Sequence, residues 1–218
     1  MGQNIHKLTS EYTFMPRNAG VTREKIVKTA NRLFYAAGIR AVSIDSVAEK
    51  AGVTKKTFYY HFKGKDELIT AYLASRDQPN LELFAKWFAE AEGGLPEKVQ
   101  AIFTNLATAA RNRRWKGCGF LRTAAELVET PGHPAVKLAS MHKKRLESWL
   151  TEVISEYGEE EADQLARQVV LLLDGAFSTM LVHRDVNYIH SAGSAAAVLL
   201  RKSAPESMSL RPAAPHPS

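Results

Sequence analysis

The chain has 218 residues, 45% hydrophobic and 24% charged, enough for one large or two small globular domains. Its one cysteine, Cys118, excludes a disulfide framework and suits a reducing compartment. Net charge is +6, but residues 21–65 alone hold ten Lys/Arg against three Asp/Glu; residues 1–20 add +1 and the remaining 153 sum to −2.

A basic head on a near-neutral body is the electrostatic footprint of a nucleic-acid-binding unit joined to another module. An anionic membrane surface would also attract such a head. The basic segment, however, carries compact capping and turn signals rather than one long amphipathic face. The first residues, MGQNIHKLTSEY, lack a basic-then-apolar leader pattern, and His6 occupies the position where a myristoylation motif needs Ser or Thr. No run approaches the ~18–20 apolar residues of a membrane span. The expectation is a cytoplasmic protein with no membrane partner.

In chain order, residues 1–20 show no helical period and read as a flexible arm. Thr22 is placed to cap a first helix whose stripe is Ile26, Ala30, Leu33, Phe34 and Ala37, closed by Gly38. Ser43 can cap a short second helix with Ile44, Val47, Ala48 and Ala51 on one face, and Gly52 suits the left-handed residue that ends it. Thr54 caps a short third helix. Phe58 and Phe62 are spaced to face inward, leaving Lys55, Lys56, Thr57, Tyr59, Tyr60 and His61 outward. Exposed aromatic residues beside lysines are costly in a purely structural segment but suit phosphates and base edges. Two short helices across a tight turn make a helix-turn-helix, whose second helix enters the major groove.

A fourth helix starts near Lys65 and should kink or break near Asp77–Pro79, since an internal proline removes a hydrogen bond and clashes with the preceding turn. It should resume to about Glu92. Further helices are expected over about 96–113, from Gly117 towards Pro131, over 134–157, 160–184 and 186–202. Residues 203–218, rich in proline and serine, read as a disordered tail. No Val/Ile/Thr alternation marks a strand. The fold expected is all-α, about nine helices, with a head at 21–66 and a body at 67–202.

Residues 22–69 resemble the N-terminal domain of the TetR family of bacterial transcriptional regulators. The resemblance is carried by Ala37–Gly38, Val42–Ser43–Ile44, Ala48, Ala51–Gly52–Val53, Thr57–Phe58–Tyr59–Tyr60–His61–Phe62 and Lys65–Asp66–Glu67–Leu68. It covers about a fifth of the chain. It implies a homodimer on a palindromic double-stranded DNA operator, acting as a repressor released by a small molecule. By that motif Thr57, Tyr59, His61 and Lys65, with Ser43, would grip phosphates, Lys55, Lys56 and Tyr60 would face base edges, and Thr54 belongs to the same DNA-binding surface. The family's uninterrupted fourth helix is the point at which Pro79 departs from the pattern.

In the body, Phe84, Trp87, Phe88, Phe103, Trp115, Phe120, Trp149 and Phe177 resemble an inducer pocket for a small apolar or aromatic ligand. Glu126 and His142 are its polar candidates, with Arg122 and His183 also considered. Asp174, mid-face in an apolar helix, needs an internal partner or a ligand. The helix over 160–184 is apolar nearly all round, so its second side should meet a partner subunit. Leu171, Leu172, Met180 and Leu199 are the expected contacts. Cys118, between two glycines, is either a packing residue or a thiol sensor at a helix start, like those of a TetR subgroup that responds to electrophiles and oxidants. The histidines form no metal-spaced cluster, and no metal or other cofactor is expected. The rival readings are a ligand-independent DNA-binding regulator and a thiol enzyme pairing Cys118 with His133 or His142. The second lacks a nucleophile motif and leaves the basic head unexplained, so no enzyme is expected.

Overall fold

The computed structural model describes residues 17–202. Residues 1–16 of the arm expected at 1–20, and the tail at 203–218, lie outside them. The described residues form nine helices and no strand: α1 (Arg17–Ala37), α2 (Ile44–Lys50), α3 (Lys55–His61), α4 (Lys65–Ala89), α5 (Leu95–Ala110), α6 (Gly119–Glu126), α7 (Pro134–Glu156), α8 (Ala162–His183) and α9 (Asn187–Lys202).

Local chemistry builds the head. Ser43 Oγ accepts from Ser46 N–H at 3.1 Å, satisfying an orphan donor at the start of α2. The turn closes through Gly52 at φ +60°, and Val53 N–H reaches back to the Ala48 carbonyl at 3.0 Å. Thr54 Oγ1 accepts from Thr57 N–H at 3.1 Å to start α3. Phe58 and Phe62 are buried in the core that also holds Ile26, Val27 and Ala30 of α1, fixing the outward face of α3. Helix α1 begins at Arg17, ahead of the expected Thr22, and carries an exposed Val21; nothing in the structure explains the extra turn.

Helix α4 joins head to body. Leu68, Ile69, Tyr72 and Leu73 are buried, with Tyr72 edge-on to Phe34 of α1 at 5.5 Å. The expected break at Asp77–Pro79 does not occur: α4 runs through Pro79 to Ala89. Tertiary contacts hold this segment, because Asp77 is bound by His142 and Arg145 of α7 and Ser75 by Asn31 of α1. These contacts offset the hydrogen bond that the proline removes.

In the body α5 packs on α9 and α4, α7 on α4 and α8, and α8 on α9. Val99, Ile102, Phe103, Leu146, Leu150, Val169 and Leu173 form its centre. Helix α8 is long and apolar enough to cross a membrane by length and composition, correcting the reading that no segment approaches a span. Much of it is core here: Leu165, Ala166, Val169, Val170, Leu173, Ala176, Phe177 and Met180 are buried within the chain.

Candidate nucleic-acid interface and ligand cavity

The outward side of α3 presents Lys55, Lys56, Tyr59 and Tyr60, with Tyr60 69% exposed. Thr57 and His61 are partly covered. The hydroxyls of Ser43 and Thr54 act as helix caps, and Thr54 Oγ1 also meets Thr57 Oγ1 at 2.9 Å. Lys55 Nζ pairs with Asp45 at 2.8 Å on the adjoining α2, and the hydrogen bond and charge of Asp45 raise its pKa. Lys65 donates to the Arg40 carbonyl at 3.3 Å, and burial lowers its pKa. Lys56 has no hydrogen-bond or ion-pair partner among the described residues.

A cavity of about 190 Å³ lies where α1, α4, α5, α7, α8 and the loop into α6 converge. Leu83, Phe84, Trp87, Trp115 and Phe177 give it an apolar wall, with the Trp115 and Phe177 rings parallel to within 9°. Tyr35, Arg76, Asn80, His142 and Lys143 bring polar groups, and Gly117, Cys118 and Gly119 close one side. Lys143 is neutralised by a short contact to Asp174. His142 stacks on Phe120 at 3.7 Å, and its Nδ1 lies 2.8 Å from Asp77 Oδ1. Burial, reinforced by Lys143, lowers its pKa to about 4. The imidazole is therefore neutral at neutral pH and donates from Nδ1 to a carboxylate whose charge is already met by Arg145.

Helix α6 runs from this cavity to the head. Gly119 at its start lines the cavity, while at its end Glu126 accepts from Arg40 N–H at 2.8 Å and Ile39 N–H at 3.2 Å. Gly38, at φ +88°, lies so close that an added Cβ would stand 2.8 Å from Glu126 Oε1. Tyr35 makes a second crossing: its hydroxyl accepts from Lys116 N–H at 2.9 Å and its carbonyl from Arg122 at 2.8 Å.

Residues 26–72 match the sequence profile of "Bacterial regulatory proteins, tetR family". The fold resembles SCO4454, a TetR-family transcriptional regulator from Streptomyces coelicolor, with a TM-score of 0.72 and 29% identity over 84% of this chain and 96% of that one. The head is a TetR-family DNA-binding domain, and the chain as a whole has the fold of TetR-family regulators. Among named relatives, YjdC of Escherichia coli is 25% identical over 82% of this chain and 93% of its own length. SrpR of Pseudomonas putida is 47% identical over 62 residues, so this chain matches 29% of SrpR, and 46% of the related TtgW.

Not all the aromatic candidates converge in the body. Phe84, Trp87, Trp115 and Phe177 line the cavity, as do His142 and Cys118. Phe103 and Phe120 are buried core, while Phe88 and Trp149 pack on each other away from the cavity wall at 5.8 Å. Glu126 does not line the cavity; its carboxylate is engaged by the head. Asp174 has the internal partner, Lys143. Sequence reasoning missed Tyr35, Arg76, Asn80 and Lys143: Tyr35 is aromatic but lies on α1 in the head, and the other three carry no aromatic or motif signal; Arg76 and Asn80 could have been found only from an unbroken α4.

The expected dimer contacts also divide. Leu171 is 65% exposed, but Met180 is 5% exposed and turned into its own chain's core, which corrects its assignment. Leu172 and Leu199 are half-buried against that core. The outward stripe of α8 is Leu171, Gly175, Ser178 and Val182, spaced at helical period, with Val198 exposed on the neighbouring α9.

Proposed function

We propose that this chain is a DNA-binding transcriptional regulator, a cytoplasmic homodimer that represses from an inverted-repeat operator and is released by a small ligand in the Trp115–Phe177 cavity. The observation that carries the DNA-binding reading is the α3 face: Lys55, Lys56 and Tyr60 stand outward on a helix fixed by the Thr54 cap and by buried Phe58 and Phe62. Exposed cations and rings on a rigid short helix suit a major groove, where lysine donates to guanine edges and to phosphates. Thr57, Tyr59 and His61 on the same helix, with Ser43 and Lys65 beside it, serve as phosphate contacts.

Dimerisation through the exposed Leu171–Val182 stripe and Val198 supplies the two-fold axis. A two-fold dimer sets its recognition helices about 34–36 Å apart or a little more, matching successive half-sites. Release follows the α6 connection. A ligand against Gly119 and Cys118 displaces the start of a rigid helix whose end holds Ile39 and Arg40, just before the helix-turn-helix.

The test is selection of bound genomic fragments by the purified chain, then footprinting. Protection of an inverted repeat, lost with Lys56→Ala plus Tyr60→Ala, supports the reading. No sequence-selective protection, or selection unchanged in that double variant, sinks it.

A further inference from the structure

The cavity has an imbalance that its aromatic wall hides. Its polar side chains are donor-rich. Lys143 has its carboxylate in Asp174, and His142 is uncharged near neutrality. Arg76 has neither relief. Its guanidinium lies 5.1 Å from the Tyr35 ring centre, and no carboxylate pairs with it among the described residues. Its Nε–H is buried without a hydrogen-bond acceptor. A buried, unmet N–H on a charged group is costly, and an acceptor brought by a ligand removes that cost.

Gly119 lies close to that nitrogen. A Cβ there would stand 3.8 Å from Arg76 Nε, an ordinary contact, but 2.7 Å from the Tyr72 hydroxyl, so a larger residue at the start of α6 would push on Tyr72 next to Arg76. The adjoining surface groove shares Tyr35, Arg76, Asn80 and Leu83 with the cavity and adds Lys28 and Arg32, with no acidic residue on its wall. A groove lined by one sign of charge draws the opposite sign.

We propose that this cavity takes a small aromatic acid, its carboxylate on Arg76 and its ring against Trp115 and Phe177. Two planar groups match: a carboxylate meets the guanidinium fork, and a flat ring meets flat rings. Size sets the upper bound. An apolar cavity of about 150 Å³ holds benzene, so about 190 Å³ suits one ring or two fused rings. The proposal rests on the reading of this cavity as the effector site and names its ligand class.

The test uses the full chain with 2-naphthoate and its uncharged counterpart 2-naphthamide, by calorimetry and by quenching of Trp87 and Trp115 fluorescence. The acid is expected to bind at least about tenfold more tightly than the amide, equivalent to about 1.4 kcal/mol. Arg76→Gln should remove that preference, weakening the acid by about tenfold or more and the amide far less. Equal or tighter binding of the amide overturns the proposal, as does undetectable binding of both, or equal loss of both in Arg76→Gln. The wild-type comparison decides the matter even where that variant does not fold. DNA retention separates the two readings. Acid bound without loss of DNA sinks the effector reading and leaves the acid site. Release by the amide, with the acid inert, sinks the acid site and leaves the effector reading.

Discussion

Glu126 and Arg40 hold each other twice across the head–body boundary. The Glu126 carboxylate accepts from Arg40 N–H at 2.8 Å, and Arg40 Nε donates to the Glu126 carbonyl at 2.9 Å. Arg40 lies in the loop between α1 and α2, so the end of α6 is anchored three residues before the Ser43 cap of the helix-turn-helix. The carboxylate also takes Ile39 N–H, which makes Glu126 the acceptor for two consecutive backbone donors.

Glu126→Ala should expose both donors. Amide exchange at Ile39 and Arg40 is expected to accelerate by about tenfold or more, with stability lower by about 1–3 kcal/mol. Glu126→Gln, which keeps a carbonyl acceptor, should fall between the two. In the alanine variant a ligand that enters the cavity should lose its effect on DNA affinity. Wild-type exchange rates at both amides, with ligand response intact, would remove α6 from the signalling path.

The lysines of the head should differ in their effects on DNA. Lys56→Ala removes a cation with no internal partner and should lower the salt slope by about one unit. Lys55→Ala should relax preference among sequences, and Asp45→Asn, by releasing Lys55, should strengthen binding to all sequences. Lys65→Ala should weaken all sequences alike. Binding titrations at several salt concentrations check this; matching slopes and sequence profiles across the set would refute the assignment.

Leu171→Glu combined with Val198→Glu should give monomers in sedimentation, because a charge on an apolar subunit contact leaves it buried and unpaired. Met180→Ala should keep the dimer but cost about 2–5 kcal/mol of subunit stability, since Met180 fills its own chain's core. A dimer that survives both charged changes places the contact elsewhere.

His142 makes stability fall with acid. Its pKa drops from 6.5 to about 4 on folding, because burial disfavours the charged ring. Between those values the unfolded chain binds the proton and the folded chain does not. The contribution is therefore complete above about pH 6.5 and is lost as pH falls towards about 4, amounting to about 3 kcal/mol. Denaturant titrations across that range should show the slope in wild type and a flatter one in His142→Gln. Equal slopes would assign the acid sensitivity to another group.

Cys118 is 8% exposed and stands on the cavity wall at the N-cap of α6. A small uncharged reagent such as N-ethylmaleimide should therefore reach it only through the cavity, and 2-naphthoate should slow the reaction. DNA release on modification of wild type, absent in Cys118→Ser, supports sensing. Unmodified Cys118 in folded, DNA-bound protein under excess reagent makes it a packing residue.

The all-α class and the head were legible in the residues alone, because those signals are local. A cap such as Ser43 or Thr54 acts on backbone donors three residues away, and Gly52 takes a backbone angle that few other residues accept. Apolar spacing then sets which face of α3 turns inward. The body was decided by tertiary structure. Which rings meet in the cavity depends on how α4, α5, α7 and α8 cross, and aromatic residues on an amphipathic helix look alike whether they line a void or fill it. Helical period sets Leu171 and Met180 on opposite faces of α8, but both faces are apolar, so the pattern left open which one turns inward. Pro79 carried a local signal for a break. Contacts from α7 and α1, more than forty residues away in sequence, held α4 intact. Glu126 was placed at the head rather than the cavity for the same reason: its partners are the backbone of residues 39 and 40, which no side-chain pattern encodes.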